Sequence, residues 1–147
     1  MDILKHLKTQ YSHAVQKRCE EEGCKINLSD LKEYIILKGE ELNPQKTICD
    51  CIIFLKRKTL IVGVVELKSG TTHASEVVNQ LKSGLEFVFK NMKGSAVDKV
   101  RVIVLAKKWK KSEYNKITKT KIEIYGKKYP ILPKRCGTYF SEIISKY

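Results

Sequence analysis

Asp50, Glu66 and Lys68 are charged residues in stretches that otherwise read as buried β-strand. Asp50 lies within residues 48–55, ICDCIIFL, and Glu66 and Lys68 lie near the end of residues 60–68, LIVGVVELK. An ionised carboxylate buried without a partner is costly, so such groups pair or bind metal. Two carboxylates supply the hard oxygen ligands that Mg²⁺ prefers, with Mn²⁺ a substitute of the same ligand type. A metal held there would polarise a phosphoryl oxygen and lower the pKa of a bound water. Lys68 would orient that water, share its proton, or offset charge on a pentavalent transition state. The chemistry expected is hydrolysis of a phosphodiester.

The elements that must position these groups can be read from patterning. Residues 48–55 and 60–68 form a hairpin around KRKT at 56–59, and both strands are apolar on both faces, as central strands are. Opposing residue numbers have a constant sum in an antiparallel pair. A three-residue turn sets Asp50 opposite Glu66 on one face, with Cβ atoms ~5 Å apart, and a four-residue turn sets it opposite Val65. Lys68, two residues after Glu66, shares the face of Glu66. Residues 73–92 then read as a helix, with Ala74, Val77, Val78, Leu81, Leu85, Val88 and Met92 on one stripe. Residues 100–105 form a third buried strand, so the order strand, helix, strand predicts a right-handed parallel crossover.

The flanks are less regular. Leu4, Leu7, Tyr11, Ala14, Val15 and Arg18 recur at helical spacing, which predicts an amphipathic helix over 2–22 stopped by Gly23. Residues 28–45 hold a possible helical turn at Leu28, a strand over 34–37 and a turn at Asn43-Pro44. Beyond Lys107 the pattern predicts a strand over 121–125, turns near Gly126 and Pro130, and a short helix over 139–145. The fold class expected is α/β, a mixed central β-sheet flanked by helices, with residues 1–147 as one domain.

Charge indicates the partner. The chain of 147 residues has a formal net charge of +13, and residues 71–147 hold 17 Lys/Arg against 6 Asp/Glu. Such an excess favours a polyanion, nucleic acid above all. Residues 107–135 hold eleven Lys/Arg against two Glu, interleaved with Trp109, Tyr114, Tyr125 and Tyr129. Lys107, Lys108, Lys110 and Lys111 are the candidate phosphate contacts, and His73 stands at a helix start where backbone N–H groups favour an anion. No apolar run approaches the ~20 residues of a membrane span, and the N-terminus lacks a secretory core. An intracellular, cytoplasmic protein is expected, with the five cysteines as reduced, mostly buried thiols and no zinc set among them.

Asp50, then Glu66-Leu67-Lys68-Ser69-Gly70 sixteen positions on, then a helix with Gln80, resembles the PD-(D/E)xK nuclease superfamily. That superfamily includes restriction endonucleases, archaeal Holliday-junction resolvases and RecB-like nucleases. The resemblance covers roughly residues 48–105, and extends to residue 1 if the first helix is the family's opening helix. It implies a restriction endonuclease-like core and a divalent-metal-dependent endonuclease that hydrolyses DNA, with a homodimer by analogy. The alternative is a catalytically inactive nucleic-acid-binding module of the same fold. Asp50, Glu66 and the Leu67 carbonyl would be metal ligands, Lys68 would be catalytic, and Gln80 would assist from the crossover helix. There are departures: Cys49 replaces the proline before the aspartate, and Gly84 stands where the RecB-like branch has tyrosine. The middle of the first helix offers Gln10 and His13 rather than an acid, with Glu20, Glu21, Glu22, Glu33 and Glu40 beyond it.

Overall fold

A run of β-branched residues makes two strands that serve as the frame for everything else. The computed structural model describes residues 2–43, 45, 48–68, 70, 73–92 and 97–146. In chain order the elements are α1 (Ile3–Gln10), β1 (Val15–Gln16), β2 (Cys19–Glu21), β3 (Cys24–Ile26), β4 (Tyr34–Lys38), β5 (Cys51–Lys56) and β6 (Leu60–Lys68). They continue as α2 (Ala74–Asn91), β7 (Val97–Ala106), α3 (Lys111–Lys119), β8 (Lys121–Ile124), β9 (Lys127–Arg135) and α4 (Phe140–Lys146). Seven strands form one mixed sheet in the order β1-β4-β5-β6-β7-β9-β8, and β2 and β3 form a separate hairpin.

The central hairpin takes the tighter of the two expected turns. Lys56 pairs with Leu60, and the register runs to Cys51 opposite Val65. Extended by one residue, it puts Asp50 opposite Glu66. After β6 the chain crosses over through α2 and returns as β7, parallel to β6, with Lys68 opposite Ala106. β9 then joins β7, also parallel.

Two apolar layers cover the sheet. One face, with Ile52, Phe54, Val62, Val64, Val102 and Val104, packs under residues of α1, α2 and α3. The other, with Ile53, Val65, Leu67, Ile103 and Leu105, packs under α4 and the β2–β3 hairpin. The alternation of strand side chains divides these residues. Asp50, Glu66 and Lys68 share the parity of the first face.

Several expectations fail at the edges of the chain. The helix predicted over 2–22 ends at Gln10, and residues 19–26 form a hairpin whose turn is Glu22-Gly23, both at positive φ. Gly23 therefore closes a strand turn and not a helix. No helix was expected at 111–119, where α3 forms over a Lys-rich segment that buries Ile117. The turn expected near Pro130 is instead strand: β9 carries Pro130 and Pro133, because it pairs with β8 over 127–130 and with β7 only from Ile131 onward. Each proline thus has an open edge on which to place its missing N–H. Pro44 of the expected Asn43-Pro44 turn lies outside the described residues.

The cysteine expectation is corrected for four of five residues. Cys19 is bonded to Cys51 and Cys24 to Cys136, which staples the β2–β3 hairpin to β5 and to the segment after β9. Cys49 is free and buried. The sequence hides the pairing because Cys19 falls in a span of helical spacing and both bonds reach partners far along the chain.

Two glycines fix how closely the chain approaches Asp50. A Cβ on Gly39 would overlap the Cys49 carbonyl oxygen, and the Gly39 N–H donates to the Asp50 carbonyl at 2.9 Å. A Cβ on Gly84 of α2 would come within 2.6 Å of Cys49 Sγ and 2.7 Å of a Val64 methyl. A Cβ on Gly70 would meet nothing within 4 Å among the described residues. Gly39→Ala is expected to destabilise by about 2 kcal/mol or more, as overpacking against backbone does. Gly70→Ala should stay within about 0.5 kcal/mol, as surface changes do. Thermal unfolding of the two variants side by side checks this, and equal midpoints would contradict it.

Candidate metal centre

The hairpin register brings the two acids into reciprocal contact. The Asp50 N–H donates to Glu66 Oε1 at 3.0 Å, and the Leu67 N–H donates to Asp50 Oδ2 at 2.7 Å. Lys68 Nζ lies 3.2 Å from Glu66 Oε2. Glu66 is 1% exposed, whereas the Lys68 side chain is 22% exposed and reaches the solvent side. Asp50 sits in a bend just before β5 begins. That bend is held by Gly39 from one side and by Cys49, wedged against α2, from the other.

Electrostatics follow from this crowding. Burial pushes the Glu66 carboxyl up to about 8, and the Asp50 charge and a hydrogen bond to Asp50 add to it, against the opposing pull of Lys68. Near neutral pH the folded state therefore favours the protonated Glu66 carboxyl. Burial likewise pushes the Cys49 thiol well up, and the Glu66 and Asp50 charges add to that. Such a thiol is a packing group and not a nucleophile.

The donor set fits a small divalent ion. Among the described residues no three His, Cys, Asp or Glu side chains converge. Two carboxylates remain, together with a carbonyl. The Leu67 N–H points to the Asp50 edge of β6, and in an extended strand a residue's carbonyl leaves on the same edge as its N–H. Asp50, Glu66 and Leu67 O would make a site of the sparse kind in which Mg²⁺ keeps several waters. The raised Glu66 carboxyl fits the same reading, because a cation relieves the charge that a proton relieves in its absence. None of the acids weighed as a further ligand stands in such a group. Glu40 is paired with Lys38 at 2.8 Å, and the Glu33 carbonyl accepts from Lys56 at the opposite end of the sheet.

Gln80 stands on the crossover helix α2, one turn before Gly84. Gly84 packs on Val64, and α2 runs antiparallel to β6. One helical turn back from Gly84 and two residues forward from Val64 are each about 6 Å, which puts Gln80 toward the Glu66 end of β6. Its amide oxygen is buried and has no hydrogen-bond partner among the described residues. The glycine at 84 is explained too: Cys49 and Val64 leave no room for a tyrosine there.

The proposed phosphate contacts divide. Lys107, Lys108, Lys110 and Lys111 are all exposed, beside the end of β7 where Lys107 N–H donates to the Lys68 carbonyl. Lys110 and Lys111 begin α3 on the same face as Glu66. Lys107 turns the other way, its Nζ lying over Gly23 on the hairpin side. His73 is exposed and caps nothing with its side chain. The anion expected at that helix start is supplied by the protein itself: Glu113 Oε2 accepts from the Ala74 N–H at 3.2 Å. Sequence reasoning missed Glu113 because it missed α3.

Comparison with known proteins finds no matching family model, no matching curated protein and no matching solved structure.

Glu66 gives a pH dependence whose sign can be worked out. The ordinary value is 4.5 and the folded value about 8, so the folded state binds more protons in between. Its contribution to stability is complete below the ordinary value and is lost as pH rises through the folded value. Glu66→Gln cannot ionise. Without divalent cations, the thermal midpoint of the variant minus that of the wild type should rise steadily from about pH 5 to about pH 9. A difference flat with pH, by scanning calorimetry, would show that Glu66 titrates normally.

Proposed function

We propose that the chain is a divalent-metal-dependent endonuclease of the PD-(D/E)xK type that hydrolyses DNA. The observation that supports it most is the reciprocal clamp of Asp50 and Glu66, which keeps two carboxyl groups together at the cost of a strongly raised Glu66. The architecture supports it as well. An opening helix, an Asp at the start of a central strand, E-x-K at the end of its hairpin partner and a crossover helix leading to a parallel strand are what a restriction endonuclease-like core requires. The site lies at the carboxyl ends of β6 and β7, where open α/β sheets hold ligands.

In this reading Asp50, Glu66 and the Leu67 carbonyl hold Mg²⁺ or Mn²⁺, which when bound polarises the scissile phosphate and acidifies a water. To serve as a ligand there, Glu66 would have to be ionised, so binding of such an ion would release its proton. Lys68, anchored to Glu66 but open to solvent, holds its ammonium where it offsets charge building on the phosphoryl oxygens. The Gln80 amide, with its oxygen unpartnered, steadies the water that attacks phosphorus. Lys108, Lys110 and Lys111 grip neighbouring phosphates, and their contacts fix position and carry no sequence preference. Each chain contributes one such carboxylate pair, so cutting both strands of a duplex calls for a second copy. Among the described residues no helix is long and apolar enough to cross a membrane. An intracellular site of action suits a DNA substrate, although two disulfides persist only where the surroundings do not reduce them.

Nicking of supercoiled plasmid in Mg²⁺ tests the proposal. Asp50→Asn, Glu66→Gln and Lys68→Ala should each slow nicking by about 10²-fold or more, as loss of a metal ligand or a charge-stabilising group does. Equal rates in all four proteins would remove the catalytic assignment. DNA binding without nicking in any of them would favour an inert binding module of the same fold.

A further inference from the structure

The sheet splits at a place that the proposed chemistry does not use. β7 begins at Val97 but pairs with β9 only from Val102, opposite Ile131. Below that point β9 pairs with β8 instead. The two strands diverge and leave a slot of about 370 Å³ lined by Phe89, Asp98, Lys99, Arg101, Lys127 and Tyr129, among others. Counting from the two-residue turn at Tyr125-Gly126, Lys128 and Pro130 turn their backbone groups away from β8 and toward the slot. Pro130 has no N–H to leave unsatisfied there.

Arg101 is the feature that asks for a ligand. Its guanidinium curls back so that Nη1 donates to the Val100 carbonyl at 3.3 Å. Its Nε is buried and finds no acceptor among the described residues. An orphaned buried donor costs free energy that an incoming acceptor restores. Burial also holds the guanidinium below its usual basicity, with Asp98 opposing. Lys99, Arg101 and Lys127 face a single acid, Asp98, so the lining carries an excess of two positive charges. The Phe89 and Tyr129 rings, 5.6 Å apart, add an apolar wall.

We propose that this slot binds a nucleotide, with its phosphate on Arg101 and its base against Phe89 and Tyr129. A guanidinium offers paired N–H donors that match phosphate oxygens. The Lys128 and Pro130 backbone groups that face the slot can meet polar edges of a base or ribose, and the volume falls in the range of small-molecule sites, roughly 300–1,000 Å³. The slot is separate from the carboxylate pair. Arg101 precedes Val104, the partner of Glu66, by three residues, about 10 Å along the strand. The Arg101 side chain leaves β7 with the parity of Ile103 and Leu105, whereas Phe89 and Tyr129 wall the slot from the α2 side. The proposal therefore does not depend on the nuclease reading.

Titration calorimetry at low salt without divalent cations tests it, with AMP, inorganic phosphate and adenosine as probes. AMP should bind saturably, at least tenfold more tightly than either phosphate or adenosine alone. Arg101→Met should weaken AMP at least tenfold, and Lys127→Glu, an exposed change that leaves the core alone, severalfold. Absence of saturable AMP binding would overturn the proposal, as would phosphate binding as tightly as AMP. AMP affinity unchanged in both variants but lost in Lys68→Ala would move the ligand to the carboxylate site and overturn it equally.

Discussion

Two acidic side chains held side by side, Glu66 buried and Asp50 half-buried, are the constraint on which the rest of this structure turns. Left alone, the Asp50 and Glu66 carboxylates would separate into water. They stay together because each accepts a backbone N–H from the other's strand, Asp50 N–H to Glu66 and Leu67 N–H to Asp50. Those bonds exist only in one hairpin register, and a slip by one residue would turn Glu66 to the α4 face. The three-residue turn at 57–59 and the paired ladder from Cys51 to Lys56 set that register. Gly39 and Gly84 then let the neighbouring strand and helix close onto Cys49 without displacing Asp50.

The same crowding links stability to chemistry. A buried carboxyl raised to about 8 is a group whose ionisation the fold resists. A divalent ion would reverse that balance, and protein, proton and ion would then compete for one small space. The Cys19–Cys51 bond ties the residue after Asp50 to the β2–β3 hairpin, on the face opposite the acids. The bend is thus braced from both sides of the sheet. The lysines on the Glu66 face begin α3, and Glu113 docks that helix onto the first turn of α2.

How much of this was legible in the sequence depended on how local the cause was. The central hairpin, the crossover helix and β7 stood out because long apolar runs at period two or 3.6 leave few alternatives. The Asp50–Glu66–Lys68 grouping followed from arithmetic on that hairpin, with the turn length as the one open choice. Failures came where tertiary contact overrode local pattern. Residues 11–22 have helical spacing, yet Cys19 and Cys24 are drawn to Cys51 and Cys136, and Glu22-Gly23 makes a strand turn. The α3 segment is so rich in lysine that its single buried Ile117 gave little periodic signal. Gly84 looked like a departure from a motif, and its reason became visible only in the contact with Cys49 and Val64.

The central claim is that these two acids together hold a divalent cation, and a crystal soaked in Mn²⁺ tests it most directly. The account predicts one anomalous peak within about 2.0–2.3 Å of a carboxylate oxygen from each of Asp50 and Glu66, typical of metal–oxygen bonds. That peak should be absent in Asp50→Asn. A crystal whose Asp50 and Glu66 keep their mutual hydrogen bonds, with no anomalous density between them at saturating Mn²⁺, would contradict it.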